Sequence, residues 1–361
     1  MTLRVGIWIA LSPDESAHFL YGGMGEQMKK PACLLLLYIF SIAASLSVKA
    51  VAAAQTPSPA LLVLNKAENS LAIVDPATGK VVGRVSTGGT PHEVAVSTDG
   101  RWAFTSNYGG QTPGHTLSVI DLSTQKEVHR VDVAPLSGPH GLFFAGGKLY
   151  FTAEVNKLLG RYDPATNRVD WLLGIGQNRT HMVLFSKDRN TIFTSNVNSN
   201  TISIIERVPA PTHWNETAIQ TGKEPEGFDV SPDGRALWAA DSGDGHVSII
   251  DIARKKVTQT IDVETKHSNR LKFTPDGKRV LISDLASGYL VVVDVVTRKV
   301  IKRMKLGKVA EGILIPPDGS RAYVALGSDN DVAIINLKTL TVIGRLHTGS
   351  GPDGMAWAVR R

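Results

Sequence analysis

The chain has 361 residues, 42% of them hydrophobic, so it is long enough to bury a substantial core. Its formal net charge of +6 is spread along the sequence without a Lys/Arg block, which argues against nucleic acid as the main partner. A single cysteine, Cys33, excludes an intramolecular disulfide and a cysteine-based zinc site. The 34 glycines and 18 prolines indicate many turns and short strands, and therefore an all-β protein.

The N-terminal region predicts export. Residues 1–27 have no clear periodicity, and we interpret them as a non-structural extension upstream of the real start codon. From Met28 the chain has a basic start, an apolar run and a small-residue tail, the pattern of a signal peptide over residues 28–54. Cleavage after Ala50 or Ala54 predicts a periplasmic or secreted monomer without a membrane span. An uncleaved anchor is the alternative.

The rest of the chain, residues 60–361, is a repeat. Three strands come first, around Leu61–Asn65, Leu71–Asp75 and Val81–Ser86, and then a turn returns about every 43 residues. These turns are Asp99-Gly100, Gly146-Gly147, Asp188-Arg189, Asp233-Gly234, Asp276-Gly277 and Asp318-Gly319. Each unit holds four short strands, the pattern of a propeller blade. A lone C-terminal strand, Gly354–Arg360, should join the first three, which predicts a closed seven-bladed β-propeller.

The repeat resembles a known family. The segment Trp238–Gly245 followed by Val247–Asp251, and Tyr323–Ala325 in the last unit, are similar to the YVTN family of β-propeller repeats. This resemblance implies an exported or periplasmic protein. Relatives of the family include lactonase-like enzymes, metal or haem propellers of denitrification and one single-stranded DNA binder, so the resemblance predicts the fold more narrowly than the function.

The innermost strand of each blade precedes its Asp-Gly turn, so the starts of these strands meet at one end of the central channel, here called the axial mouth. Aligning them gives seven ring positions: His92, His140, His181, Glu226, Asn269, Glu311 and Asp353. Three histidines, with Glu226 or Glu311 as a fourth ligand, predict a site for zinc, copper or iron. A mouth that holds only water, or an organic ligand hydrogen-bonded to side chains such as Asn269 and Asp353, stays open as an alternative.

Cations surround the carboxylate half of this ring and form a basic collar: Lys223, Lys266, Lys308, Arg179 and Arg270. The collar can hold the carboxylate or phosphate of a small ligand, or it can simply neutralise the acidic ring residues. The same mouth carries a long loop with Tyr108 and His115, either of which could cover a ligand, and the acidic residue Glu154.

No sequence motif by itself names a reaction, because the serine-hydrolase elbow, the phosphate-binding loop and the H-E-x-x-H pattern are all missing from the sequence. The leading hypothesis is a binding protein that holds a small ligand or a metal ion at the axial mouth. A metal-assisted lactonase-like hydrolase or lyase is the alternative, with Glu226, Glu311 or His181 as the candidate catalytic base. The third hypothesis is a scaffold or single-stranded nucleic-acid binder that uses the rim.

Overall fold

The computed structural model describes residues 55–209 and 214–361. The chain divides into two units, Met1–Ala52 and Ala53–Arg361, and all of the described residues belong to the second. The predicted extension and signal peptide therefore lie outside the described residues. Within the described part, no helix has both the length and the apolar character that crossing a membrane requires.

The described residues form 28 strands and two single 3-10 turns. The strands are β1 (Ala60–Asn65), β2 (Ser70–Asp75), β3 (Lys80–Ser86), β4 (Pro91–Val96), β5 (Trp102–Gly109), β6 (Pro113–Asp121), β7 (Lys126–Asp132), β8 (Pro139–Ala145), β9 (Lys148–Ala153), β10 (Leu158–Asp163), β11 (Arg168–Gly174), β12 (Thr180–Phe185), β13 (Thr191–Asn196), β14 (Thr201–Arg207), β15 (Trp214–Gln220), β16 (Pro225–Val230), β17 (Ala236–Asp241), β18 (His246–Asp251), β19 (Lys256–Asp262), β20 (Ser268–Phe273), β21 (Arg279–Asp284), β22 (Tyr289–Asp294), β23 (Val300–Lys305), β24 (Ile313–Leu314), β25 (Arg321–Leu326), β26 (Asp331–Asn336), β27 (Thr341–His347) and β28 (Pro352–Ala358).

These strands build seven four-stranded antiparallel sheets, which confirms the predicted seven-bladed β-propeller. Blades 1 to 6 are β4–β7, β8–β11, β12–β15, β16–β19, β20–β23 and β24–β27, each in sequence order. The closing blade has the order β28-β1-β2-β3, so the C-terminal strand is its innermost strand, as predicted. Pairing β28 with β1 joins the two ends of the repeat and closes the ring.

Hydrophobic patterning explains the position of each strand in its blade. Strand β22 reads YLVVVD and is buried on both faces along its apolar part, as expected for a strand between two neighbouring blades. Strand β19 alternates buried or half-buried residues with exposed ones, the pattern of an outermost strand with one wet face. Between blades 3 and 4, Phe193 and Ile204 pack with Phe228 and Leu237. Burying each such side chain contributes about 1.5–3 kcal/mol.

The innermost strands place the ring positions. In six blades the ring residue is the second residue of its innermost strand, directly after proline, threonine or serine. Blade 6 differs, because its innermost strand is reduced to Ile313–Leu314 and Glu311 precedes it. The backbone N–H of Glu311 still donates to the carbonyl of Ala325 at 2.9 Å, so Glu311 keeps the equivalent place.

Candidate functional site

Three histidine rings lie side by side at the axial mouth. The ring centroids of His92 and His140 are 5.0 Å apart, and those of His140 and His181 are 3.8 Å apart. His140 and His181 are each only 2% exposed. The predicted histidines of three consecutive blades therefore meet in one buried cluster, which the register of the repeat brings together.

The remaining ring residues contact the histidines or each other. His181 Nε2 lies 3.5 Å from Glu226 Oε1, and Asn269 Nδ2 donates to the same oxygen at 2.7 Å. On the other side, Asp353 Oδ2 is 3.7 Å from His92 Nδ1. Glu311 is joined to Asp353 through a lysine that contacts both carboxylates.

Glycine allows the ring to be this narrow. The residue after the ring position is glycine in four blades, namely Gly141, Gly227, Gly312 and Gly354. A Cβ at Gly312 would lie 2.2 Å from the carbonyl oxygen of Asp353, and one at Gly227 would lie 2.5 Å from that of Asn269. Neighbouring innermost strands therefore approach each other at a distance that only glycine permits at these positions.

A second set of side chains reaches the mouth from the ends of the second strands of the blades and from the loops that follow them. Lys66, Tyr108 and Glu154 each follow the residue that pairs with the proline before a ring position. Tyr108 Oη donates to Glu154 Oε2 at 2.7 Å, and its ring lies 4.8 Å from that of His92 and 5.2 Å from that of His140. The predicted mouth residues Tyr108 and Glu154 thus contact the histidine cluster directly.

The three histidines differ in their affinity for protons. Burial lowers the pKa of His140 well below its usual value, and it lowers the pKa of His92 to about 4, so both imidazoles are neutral at pH 7. Burial acts in the same direction on His181. There, however, contacts with Glu154 and Glu226 outweigh burial and raise the pKa. Burial and the adjacent Glu154 raise the pKa of Tyr108 to about 12, so its hydroxyl stays protonated and donates.

Two buried imidazole nitrogens have no hydrogen-bond partner among the described residues: His140 Nδ1 and His181 Nε2. The other nitrogen of His181, Nδ1, is bonded to Glu154. In neutral His181 a proton on Nδ1, held by Glu154, leaves a bare lone pair on Nε2, as in many metal-ligating histidines. One ligand atom of each of His140, Glu154 and His181 lies within 4.8 Å of the other two, so these residues form a compact cluster of potential metal-binding groups.

Arg270 crosses the channel next to this cluster. Its buried guanidinium reaches from blade 5 to Glu93 in blade 1, and its Nη1 lies 3.5 Å from Glu226 Oε1. Burial opposes the ionisation of Glu226, but His181, Arg270 and Arg179 outweigh it and lower the pKa of Glu226 to about 2. Glu226 is therefore a firmly ionised carboxylate, which makes it a weak candidate for a catalytic base.

Glu311, in contrast to Glu226, has a raised pKa. Burial and the charge of Asp353 raise the pKa of Glu311, while Lys66 stabilises its charged form. The same lysine and Arg270 favour the charged form of Asp353, whose pKa is lowered although burial acts against it. The pair therefore holds one firmly ionised carboxylate and one carboxyl that gains a proton more readily.

The residues of the predicted basic collar do not form one cluster of cations around Glu226 and Glu311. Lys223, Lys266 and Lys308 are exposed, and within the described ranges none of their ammonium groups pairs with Glu226 or Glu311. The cations that do contact these two carboxylates are Arg270 and Lys66. Arg179 is half-buried and faces Glu154, with Nε 3.6 Å from Oε2. His115 pairs with Asp132 at 2.8 Å on the neighbouring strand and does not cover the mouth.

Sequence reasoning missed Lys66 and Glu93, and it gave Glu154 no role. A signal for Glu93 was present, because the position after the ring residue is glycine in four blades and charged only at Glu93 and Arg270. A charge of each sign at a position otherwise restricted to Gly and Met182 indicates an ion pair in the channel. Lys66 shares its place in the repeat with Tyr108 and Glu154, so alignment of the loops would have found it.

The fold and the site define a class: a seven-bladed β-propeller with a buried cluster of histidines and carboxylates at its axial mouth. No protein-family model matches the chain, and no curated protein matches it in sequence. Similar solved structures do exist. The chain resembles hydrazine synthase of Kuenenia stuttgartiensis with a TM-score of 0.63 and 21% identity, over 73% of this chain and 88% of that one.

Two further structures are similar. A putative 6-phosphogluconolactonase of Bacteroides uniformis has a TM-score of 0.69 and 16% identity, over 83% of this chain and 99% of that one. The dihydro-heme d1 dehydrogenase NirN has a TM-score of 0.60 and 15% identity, over 82% of this chain and 74% of that one. At such identities the likeness establishes the propeller fold, and membership of the YVTN family stays a prediction.

Proposed function

We propose that this propeller is a binding protein that holds one divalent transition-metal ion at its axial mouth, with His140 Nδ1 and His181 Nε2 as protein ligands and with Glu154 holding the other nitrogen of His181. The observation that carries the proposal is the pair of buried nitrogens without a hydrogen bond among the described residues: His140 Nδ1, and His181 Nε2, which faces Glu226 Oε1 at 3.5 Å, on rings whose centroids are 3.8 Å apart. Leaving a buried polar atom without a partner costs about 1–3 kcal/mol of stability, and a bound ion would remove that cost.

The donor set favours zinc, copper or iron over magnesium or calcium. Neutral imidazoles suit the borderline transition metals, whereas the harder cations prefer all-oxygen sites. The low pKa of His140 means that at neutral pH its nitrogen needs no deprotonation before it binds a metal, whereas the raised pKa of His181 means that a metal ion competes there with a proton. Two imidazole ligands would leave positions open for water, for His92 or for a further ligand.

The test is metal analysis of the full-length protein purified without an affinity tag. Mass spectrometry should find about one transition-metal ion per chain in the parent protein. In the double variant His140→Gln/His181→Gln the metal content should fall to background. The matched control is His129→Gln, which changes an exposed histidine on β7 and should retain the metal.

Equal metal content in the parent protein and the double variant would refute the proposal. His181 would then be better described as an imidazolium held between Glu154 and Glu226. A single His92→Gln variant separates the third histidine from the other two. If His92 is also a ligand, its loss should weaken metal affinity without abolishing the site.

A second candidate function is hydrolysis of a lactone or a similar cyclic ester. The observation that favours it is Glu311, a carboxyl of raised pKa at the same mouth, which Lys66 contacts. A carboxyl that exchanges a proton near neutral pH can act as a general base, and a bound metal can polarise an ester carbonyl. The similarity to a putative 6-phosphogluconolactonase supports testing this chemistry.

A panel of lactones, assayed with and without a chelator, tests the second candidate. Turnover that is lost in Glu311→Gln but retained in Glu224→Gln, an exposed acid just before blade 4, would support hydrolysis with Glu311 as the base. No turnover of any lactone, in a preparation that contains the metal, would leave metal binding as the function.

A further inference from the structure

A cavity opens directly beside the histidine cluster. Its volume is about 370 Å³, at the lower end of the range for small-molecule sites. It is lined by residues from four loops or strand ends at the mouth: Tyr108, Glu154, Val155, Lys157, Asn178, Arg179 and Asn198. Tyr108 and Glu154 also contact the histidines, so the cavity and the proposed metal site share a wall.

The polar groups of this cavity are mostly uncommitted donors. Within the described ranges, the side chains of Lys157, Asn178 and Asn198 form no hydrogen bond or ion pair. Arg179 faces Tyr108 and Glu154, but its contact with Glu154 is long, at 3.6 Å. Both oxygens of Glu154 are already bonded, one to His181 and the other to Tyr108. The cavity therefore offers two cations and two amides against one satisfied acid.

Lys157 adopts a backbone conformation that is unfavourable for lysine. Its φ is 56°, in the left-handed region. The carbonyl of Lys157 accepts the same backbone hydrogen bond as those of the equivalent residues in four other blades, which are Asn69, Asn200, Gly245 and Gly288. Asn and Gly are the residues that adopt this conformation most easily, so the repeat selects them. A lysine at this position departs from the repeat and has a conformational cost. The lysine lies in blade 2, next to the proposed metal site.

Arg179 also departs from the repeat. It stands two residues before the ring position His181, where the other blades have Thr90, Gly138, Glu224, His267, Val309 and Gly351. Arginine therefore occurs at this position only in blade 3, next to the cavity. Lys157 and Arg179 both depart from the pattern of the repeat, and both line the same cavity. The propeller fold does not require a cation at either position.

We propose that this cavity binds the oxyanion group, carboxylate or phosphate, of a small molecule next to the metal ion. Guanidinium, ammonium and amide N–H groups are the donors that recognise such oxygens. The inference rests on the proposed function for the identity of the neighbouring site, since Glu154 belongs to both. The groups that recognise the anion, Lys157 and Arg179, are distinct from the metal ligands.

Isothermal titration calorimetry tests this directly, with inorganic phosphate and succinate as probes at constant ionic strength. The full-length protein should bind at least one of them, and the tighter probe distinguishes a phosphate from a carboxylate ligand. Arg179→Met and Lys157→Met should each weaken binding about tenfold or more. Lys308→Met removes an exposed lysine of the same mouth that does not line the cavity, and it should change the affinity less than twofold.

Metal content, measured on the same variants, separates the two proposals. Arg179→Met should retain the metal of the parent protein. Anion binding that depends on Arg179 in a protein without metal would support the cavity while refuting the metal site. Failure of both probes to bind a protein that holds the metal would overturn the inference. Equal weakening by Lys308→Met would overturn it as well, because a diffuse positive field would then explain the binding.

Discussion

Asp241 is a buried carboxyl in blade 4 that works against the stability of the fold at neutral pH. It is 0% exposed, Ser248 Oγ donates to its Oδ2 at 2.7 Å, and its Oδ1 has no hydrogen-bond partner among the described residues. Burial and the neighbouring Asp244 raise the pKa of Asp241 to about 7. In three other blades the equivalent residue is asparagine, namely Asn65, Asn107 and Asn196. We predict that Asp241→Asn stabilises the protein.

The direction and size of the effect follow from the pKa of Asp241. In the unfolded chain the carboxyl ionises near 3.8, whereas in the folded protein it keeps its proton until about pH 7. Below pH 3.8 both states are protonated, and as the pH rises to 7 the unfolded state is increasingly favoured. Above pH 7 the accumulated loss reaches up to about 4 kcal/mol. An asparagine is neutral at every pH, and its amide can donate to Ser248 as Asn196 does to Ser203.

Urea denaturation at pH 4 and pH 8 is the assay. The variant should unfold close to the parent protein at pH 4, and at pH 8 its free energy of unfolding should be higher by about 2–4 kcal/mol. The reciprocal variant, Asn196→Asp, is the matched control and should lose stability at pH 8 more than at pH 4. Equal stability of the parent protein and Asp241→Asn at pH 8 would show that water or a nearby donor already satisfies the carboxylate, and the reasoning would be wrong.

Two further predictions concern the channel. Arg270→Met leaves buried carboxylates without their cation and should lower the free energy of unfolding by about 3–5 kcal/mol. Adding Glu93→Gln should recover part of the loss in the same denaturation assay, and no recovery would argue against the ion pair across the channel. Gly227→Ala places a methyl group 2.5 Å from the carbonyl of Asn269 and should cost about 1–3 kcal/mol. Gly174→Ala, with no atom within 4 Å of the added carbon, is the control and should leave the thermal midpoint nearly unchanged.

The polar residues of the ring show how far sequence can predict a site in a repeat protein. His92, His140 and His181 were recognisable because the period places one residue of each blade at the same height in the channel. The orientation of each imidazole ring could not be predicted in this way. Whether His140 Nδ1 has a partner depends on side chains from other blades, among them Tyr108. The period places Tyr108 at this mouth, but the side-chain rotamers that decide its contacts do not follow from the period.

The charges required the tertiary structure for a related reason. Arg270 and Glu93 are 177 residues apart, and only closure of the ring brings blade 5 opposite blade 1. The same closure brings Lys66, at the beginning of the repeat, between Glu311 and Asp353 at its end. These pairings set the proton affinities of the carboxylates, so the assignment of Glu226 as a fixed anion and of Glu311 as a proton-exchanging group could not be made from sequence.

The sequence by itself determined the propeller, the number of blades, the closing strand and the positions of the ring residues, because each depends on a pattern that recurs from blade to blade. Only the tertiary structure decided which of those residues contact each other, and it added Glu154 to two of the histidines. Packing between blades buries His140 Nδ1 and His181 Nε2, and neither forms a hydrogen bond with another described residue. Burial of such donors and acceptors depends on neighbours that are distant in sequence, and for that reason the chemistry of the mouth is visible only in the folded chain.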